Sequence, residues 1–327
     1  MSERTPAAGA PSRVSERIPT LAHRVEYGAL RSAIGFLGAM RWHRAVRAGG
    51  AIGRLAYEPF GIRRDVVESQ IAAAFPEASE REVRSIARGA FEHLGRVTVE
   101  TALLSRVDPA WVLDLFENVE GWDVVERLRA RGRGLIMVTG HLGNWELGGA
   151  YIAARGVPLD VVVRRMANPL FDGYLTRTRS RLRMAVVRDR EAVRRTPRTL
   201  RAGGAVAFLT DQAGLNLAST FVPFFGRPAK TPRGPAVFAL RLDAPVVFGT
   251  ALRLPSGRYR LSFEEIRVPE SGDVDSDVDE LVASYTHILE KWVRRAPEQY
   301  FWQHRRWKRQ PDDTPEELRD PVEASRE

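Results

Sequence analysis

The chain has 327 residues, 44% of them apolar, which is enough for a full core and too apolar for wholesale disorder. It contains no cysteine, which excludes disulfides, a thiol nucleophile, Cys-ligated zinc and iron–sulfur clusters. The net charge of +9 comes almost wholly from arginine, since the only lysines are Lys230, Lys291 and Lys308. The guanidinium fork suits oxyanions, so nucleic acid, anionic membrane and phosphorylated lipids or carriers are the partners that charge leaves open.

Residues 1–20 are polar and read as a disordered lead without a secretory signal. From Val25 to Phe60, Leu30, Ile34, Phe36, Leu37, Trp42, Ile52 and Leu55 are mixed with Arg31, Arg41, Arg44, Arg47 and Arg54. The most apolar early stretch, Ala33 to Met40, is far below the ~18 residues of a spanning helix. The pattern predicts basic amphipathic helix over 21–60, lying on a membrane interface or packed on the core with its arginines solvated. Helices are expected over 64–75 and 78–106, interrupted by Pro76, with Ser79 as N-cap of the second. The apolar run Gly134 to Gly140 reads as a buried strand, and Asn144 to Ala154 as helix. Strands follow over 159–163 and 205–210, a helix over 234–242, a hairpin from 246–254 and 259–266, and a long amphipathic helix over 278–295. Residues 312–327 read as an acidic, unstructured tail. No repeat divides the chain. The alternation predicts one α/β domain, residues 21–311, with a central, mostly parallel sheet flanked by helices. Sites in such folds lie beyond the carboxyl ends of strands, which directs attention to the residues after Thr139, Val163 and Thr210.

The first of those places carries Gly140-His-Leu-Gly-Asn-Trp-Glu-Leu-Gly-Gly149. On one continuous helix His141 and Glu146 would stand about 140° apart and would not meet. Gly140 and Gly143 let the chain turn sharply, and Asn144 as N-cap puts Glu146 at the second helical position, where a carboxylate is favoured. His141 in the loop is then expected to fold back onto Glu146, which would orient it as a general base for a hydroxyl. Arg164 falls at a strand end, as an oxyanion contact or a surface arginine. Asp211 either holds Arg164 or caps a turn. Phe221, Phe224 and Phe225 offer an apolar wall for an acyl chain or pack in the core. Trp302 and Trp307, around His304-Arg305-Arg306, mix aromatics and cations as membrane anchors and nucleic-acid sites both do. No Gly-x-Ser-x-Gly elbow, phosphate-binding glycine loop or metal-ligand cluster occurs.

GHLGNWELGG resembles the His-x4-Asp/Glu signature of the lysophospholipid acyltransferase superfamily, in the form found in the bacterial lipid A late acyltransferases of lauroyl and myristoyl type. Four further blocks follow in the family's order. They are Arg164 to Pro169, with Arg165 in place of a proline, then Asp211-Gln212, then Phe221 to Gly226 with Thr231, then Pro297 to Lys308. The family's Asn-x-x-x-Phe-Pro phrase appears only as Gln70 to Pro76, without its asparagine. The resemblance spans residues 24–311. It implies direct transfer of an acyl chain from acyl carrier protein to a lipid A precursor at the cytoplasmic face of the inner membrane. Acyl-CoA as donor, with a phosphatidylinositol mannoside or another glycolipid as acceptor, is the alternative within the same chemistry. A basic nucleic-acid-binding protein would leave the histidine block without a purpose. The expected set is therefore catalytic His141 and Glu146, with substrate contacts from Arg164, Asn144, Asp211, Gln212 and Thr231. Membrane or acyl contacts are expected from Trp42, Phe221, Phe224, Trp302 and Trp307, and no metal, cofactor or nucleic acid is expected.

Overall fold

The computed structural model describes residues 18–212 and 218–324. In chain order the helices and strands are α1 (Leu21–Gly38), α2 (Trp42–Tyr57), α3 (Arg64–Ala74), α4 (Glu80–Leu103), α5 (Pro109–Leu113), β1 (Phe116–Glu120), α6 (Trp122–Arg129), β2 (Leu135–Thr139), α7 (Trp145–Ala154) and β3 (Leu159–Val163). Then come α8 (Pro169–Arg181), β4 (Met184–Arg188), α9 (Asp189–Arg201), β5 (Ala205–Leu209), β6 (Ser219–Phe224), β7 (Arg227–Pro232), α10 (Gly234–Leu242), β8 (Val246–Arg253), β9 (Tyr259–Ile266), α11 (Val274–Arg295) and the short α12 (Pro321–Ala324).

Seven strands form one sheet in the order β1-β9-β8-β2-β5-β3-β4. The five from β8 to β4 run parallel; β9 is antiparallel to β8, and β1 pairs with β9. β2 is apolar up to its last residue, Thr139, because it is covered on both faces: Ile136 and Val138 enter one core layer with α10 and α11, Leu135 and Met137 the other with α6 and α7. The expected single α/β domain is the one observed. α4 is capped by Ser79, whose hydroxyl and the Glu82 carboxylate make a reciprocal capping box.

The expected helical region near the start is two helices, each with an inner face. α2 packs against α4 so closely that backbones touch. A Cβ at Gly53 would lie 2.0 Å from the Phe91 carbonyl oxygen, and one at Gly95 would lie 2.1 Å from that of Gly49. No described helix is long and apolar enough to cross a membrane.

The expected disordered tail is a correction. Val322 and Thr314 are buried, Arg305 pairs with the buried Asp320, and α12 rests on α3. The acidic composition of this segment serves the arginines it packs on. Residues 1–17 of the expected lead and the last three residues lie outside the described set.

Candidate active site

β2 ends at Thr139 and the chain turns through Gly140. A Cβ there would lie 2.6 Å from Leu289 Cδ1 and 3.4 Å from Asp211 Cγ. Gly143 has φ +61, and a Cβ on it would meet the Ala251 carbonyl oxygen at 2.0 Å, so only glycine fits. The loop between them is held from three sides: Gly143 N–H donates to Gln299 O (3.0 Å), Asn144 N–H to Ala251 O (2.8 Å), and Phe301 N–H to His141 O (3.0 Å). Asn144 then caps α7 by accepting from Leu147 N–H at 3.0 Å.

His141 does not rest on Glu146. Its Nδ1 lies 2.8 Å from Asp211 Oδ1, and its backbone N–H donates to Asp211 Oδ2 at 2.9 Å. The reason is strand register. Thr139 of β2 stands beside Leu209 of β5, so two residues past the sheet on either strand are His141 and Asp211. Glu146 instead forms a two-pronged ion pair with Arg179 of α8, its Oε2 3.0 Å from Nε. The sequence-based expectation that Glu146 orients His141 is thus corrected, and so is the pairing of Asp211 with Arg164.

Burial alone would raise the Asp211 carboxyl, but the His141 imidazole, the hydrogen bonds from its ring and from its backbone N–H, and the Arg306 guanidinium bring it down to about 2. An ionised carboxylate can only accept, so Nδ1 of His141 carries the proton of this hydrogen bond, and in the neutral ring the accepting nitrogen is then Nε2. Around this pair, burial and the Asp211 charge push the Tyr300 phenol far above its usual range. Burial and the nearby Arg306 and His141 hold His304 down to about 4, against the pull of Asp211. Asp211 thus carries its charge among Arg306, His141 and the Tyr300 phenol, with two of its hydrogen bonds coming from His141.

His141 and Glu146 line one cavity of about 510 Å³. From them its wall runs along the apolar side of α7 to Met137, Gly149, Ile152, Met184 and Phe263. Trp145 meets the imidazole edge-on at 4.7 Å. Gln212, whose amide nitrogen is 3.3 Å from His141 Nδ1, and Arg164 lie on the same wall. Arg164 is exposed and makes no ion pair among the described residues. The geometry can accept a proton from a hydroxyl at Nε2 beside an apolar slot. No group of side chains able to hold a metal occurs among the described residues.

Other expected contacts have different work. Asn144 is 0% exposed, and its amide donates to Glu100 (2.9 Å). Thr231 is buried, donates to Ala229 O and accepts from Arg306. Trp302 and Trp307 are both 0% exposed; their indole N–H groups donate to Pro297 O and Phe224 O, and Phe224 is buried with them. These two tryptophans and Phe224 are core, not membrane anchors. Trp42 packs edge-on against Trp111 at 4.9 Å, whereas Phe221 is 41% exposed. Gln70, at the start of the phrase that lacks the asparagine, donates through its amide to Trp302 O (2.6 Å) and accepts from Arg306 N–H (2.7 Å), pinning the segment that carries Arg306.

Sequence reasoning missed Arg179, His93 and Glu100. Arg179 was hidden in an arginine-rich helix, and the other two lie far from the loop in sequence. His93 Nε2 bonds Gly143 O at 3.0 Å, and Glu100, held by Arg253 and Tyr259, fixes Asn144. Burial lowers His93 to about 3, so it stays neutral as the donor to that carbonyl. In the unfolded chain it titrates near 6.5, so unfolding takes up a proton between those values. Stability should therefore fall as pH drops through this window, by about 2 kcal/mol from pH 7 to pH 5 on account of this one group. His93→Gln keeps a donor but not the titration, and should flatten that part. Urea midpoints at the two pH values check it, and equal pH dependence in both proteins would contradict it.

Relatives of known activity match most of the chain. Residues 27–309 match the profile of the family described as bacterial lipid A biosynthesis acyltransferase. The chain is 32% identical over 266 residues to the lipid A biosynthesis palmitoleoyltransferase of Escherichia coli (strain K12), covering 80% of this chain and 84% of that one. It is 29% identical over 276 residues to the lipid A biosynthesis lauroyltransferase of the same organism, covering 82% and 87%. A lipid A biosynthesis acyltransferase of Haemophilus influenzae is 25% identical over 265 residues. With a family profile matched over most of its length and a relative 32% identical over 80% of the chain, the chain belongs to the bacterial lipid A biosynthesis acyltransferase family.

Proposed function

We propose that the protein moves a fatty acyl chain from the thioester of acyl carrier protein to a hydroxyl of a lipid A precursor, at the cytoplasmic face of the inner membrane. The observation that carries this reading is the His141–Asp211 pair opening on an apolar cavity. Nε2 of His141 takes the hydroxyl proton as the oxygen attacks the thioester carbonyl. Asp211 stabilises the imidazolium; the C–S bond breaks and the departing thiolate takes the proton back. Direct attack is favoured because the chain has no cysteine to carry the acyl group. Arg164, whose guanidinium at a strand end makes no ion pair among the described residues, is assigned to a substrate phosphate or to the developing oxyanion. The apolar wall beneath α7 is assigned to the acyl chain. Purified protein should transfer label from acyl carrier protein to a lipid A precursor. Transfer from acyl-CoA alone would move the donor assignment, and transfer to a mannosylated lipid alone would move the acceptor.

Membrane association is assigned to α1, α2 and the turn after them. Leu21, Val25, Phe36, Ile52, Leu55 and Phe60 are all exposed there, interleaved with the exposed Arg24, Arg44, Arg47 and Arg54. High-salt or carbonate washing should release the protein from membranes. Recovery wholly in the soluble fraction of unwashed cells would contradict the assignment.

A further inference from the structure

A second cavity, of about 530 Å³, lies between α1, the turn Leu104–Arg106 and α8. Helical spacing separates it from the active site. Tyr174, Arg177, Thr178 and Arg181 are three or four residues apart and share one face of α8, while Arg179 lies two residues from both arginines and faces the opposite way, toward Glu146. Arg31 from α1 and Arg106 from the turn complete the wall, and no carboxylate lines it. None of these four arginines makes an ion pair among the described residues. Arg181 donates to Ser105 O at 2.7 Å, and the Arg31 guanidinium sits 5.6 Å over the Tyr174 ring. Four unpaired guanidinium groups held around one cavity repel one another, and an anion there would relieve them.

A second observation points to a ligand. Thr178 is 4% exposed and lines this cavity, and its hydroxyl is buried without a hydrogen-bond partner. A buried hydroxyl left unpaired is costly, and an oxygen-rich ligand would satisfy it. The surroundings indicate what carries that ligand. On its outer side α1 exposes Leu21, Val25 and Phe36, while Tyr27, Leu30 and Ile34 face inward. An arginine pocket beside an exposed apolar helix face fits an amphiphile whose head is anionic and whose tail lies in a bilayer. A concavity of this size suits a headgroup better than a helix of an acidic protein.

We propose that this pocket binds a phosphate monoester headgroup of a membrane amphiphile. A monoester offers three terminal oxygens to the guanidinium forks and the Thr178 hydroxyl, one more than a diester. The proposal rests on the membrane-surface part of the function proposed above. Its consequence is that α8 is held at a lipid head on one face while it presents Arg179 to the active site on the other.

Co-sedimentation with phosphatidylcholine vesicles containing phosphatidic acid or, at equal surface charge, phosphatidylglycerol tests it. The wild type should bind the phosphatidic acid vesicles about tenfold more tightly, and Arg177→Ala/Arg181→Ala should bring that ratio close to one. Thr178→Val, which keeps shape and charge, should also reduce the ratio. Arg44→Ala/Arg47→Ala, which removes equal charge from exposed positions on α2, should weaken both bindings and leave the ratio intact. A ratio unchanged in the pocket variants overturns the site while leaving membrane association standing; absence of any vesicle binding by the wild type overturns both. Inorganic phosphate that binds the wild type as tightly as the vesicles do, and is lost in the double variant, would show a free-phosphate site and overturn the lipid assignment. Pocket variants that lose binding to acyl carrier protein but not to vesicles would overturn it in favour of a protein partner.

Discussion

Replacing His141 by alanine is expected to lower kcat by about 10²–10⁴-fold with the fold intact, because the group proposed to take the hydroxyl proton is lost. Asp211→Asn should be about as damaging, on the order of 10³–10⁴-fold, although it conserves shape. Both Asp211 oxygens now accept N–H groups from His141, one from the backbone and one from Nδ1. An asparagine has one accepting oxygen and turns an NH₂ toward one of those donors, so the ring loses its tautomer and the imidazolium its counter-charge. KM should change little if the loss is confined to the transition state. Steady-state rates with thermal melts as the folding control decide it. An Asp211→Asn enzyme with near-wild-type turnover would overturn the assignment of Asp211 as the orienter.

The second large effect is expected at Arg179. Arg179→Ala should destabilise the protein by about 3–5 kcal/mol, because it leaves the buried Glu146 carboxylate without its partner. Glu146→Gln/Arg179→Gln, which removes both charges, should recover most of that stability. Activity should not return with it, because the pair forms part of the cavity wall beside His141. Glu146→Gln alone should lose part of the rate with a smaller loss than Asp211→Asn. Denaturant midpoints and rates measured on the same four proteins separate positioning from stability. If Glu146→Gln silenced the enzyme while Asp211→Asn did not, the two carboxylates would have to exchange roles. A double variant as unstable as Arg179→Ala would show that the ion pair is not the source of the loss.

Much of this site was legible along the chain. Gly140, Gly143 and Asn144 announce a turn and a helix start around a histidine at the end of an apolar run, and all of them act locally. The strand at 159–163 and the helix at 234–242 were equally plain, since alternation, apolar runs and Gly/Pro boundaries are short-range signals. β1, β4 and the β6–β7 hairpin were missed. β1 and β4 occupy the two edges of the sheet; β1 is mostly polar, the apolar run of β4 is only four residues long and partly exposed, and the hairpin stands apart from that sheet.

Charged and aromatic side chains near the chain end were misread for a related reason. Trp302 and Trp307 look amphipathic beside three cations, yet both are enclosed, Arg306 is buried against Lys230 O and Thr231, and Arg305 meets Asp320. A residue's composition records its chemistry but not which other segment covers it.

Local spacing was sufficient for the α/β class and for the histidine loop, and the order of the motif blocks carried the resemblance to the family. It could not identify the partners of the charged groups. His141 and Glu146 are five residues apart and do not pair; His141 and Asp211 are seventy apart and do. A parallel sheet joins strands through long crossovers, so the residues that meet at its carboxyl edge are set by strand order and register. Here β5 runs beside β2, with Leu209 level with Thr139, and that alignment places a buried carboxylate under the imidazole.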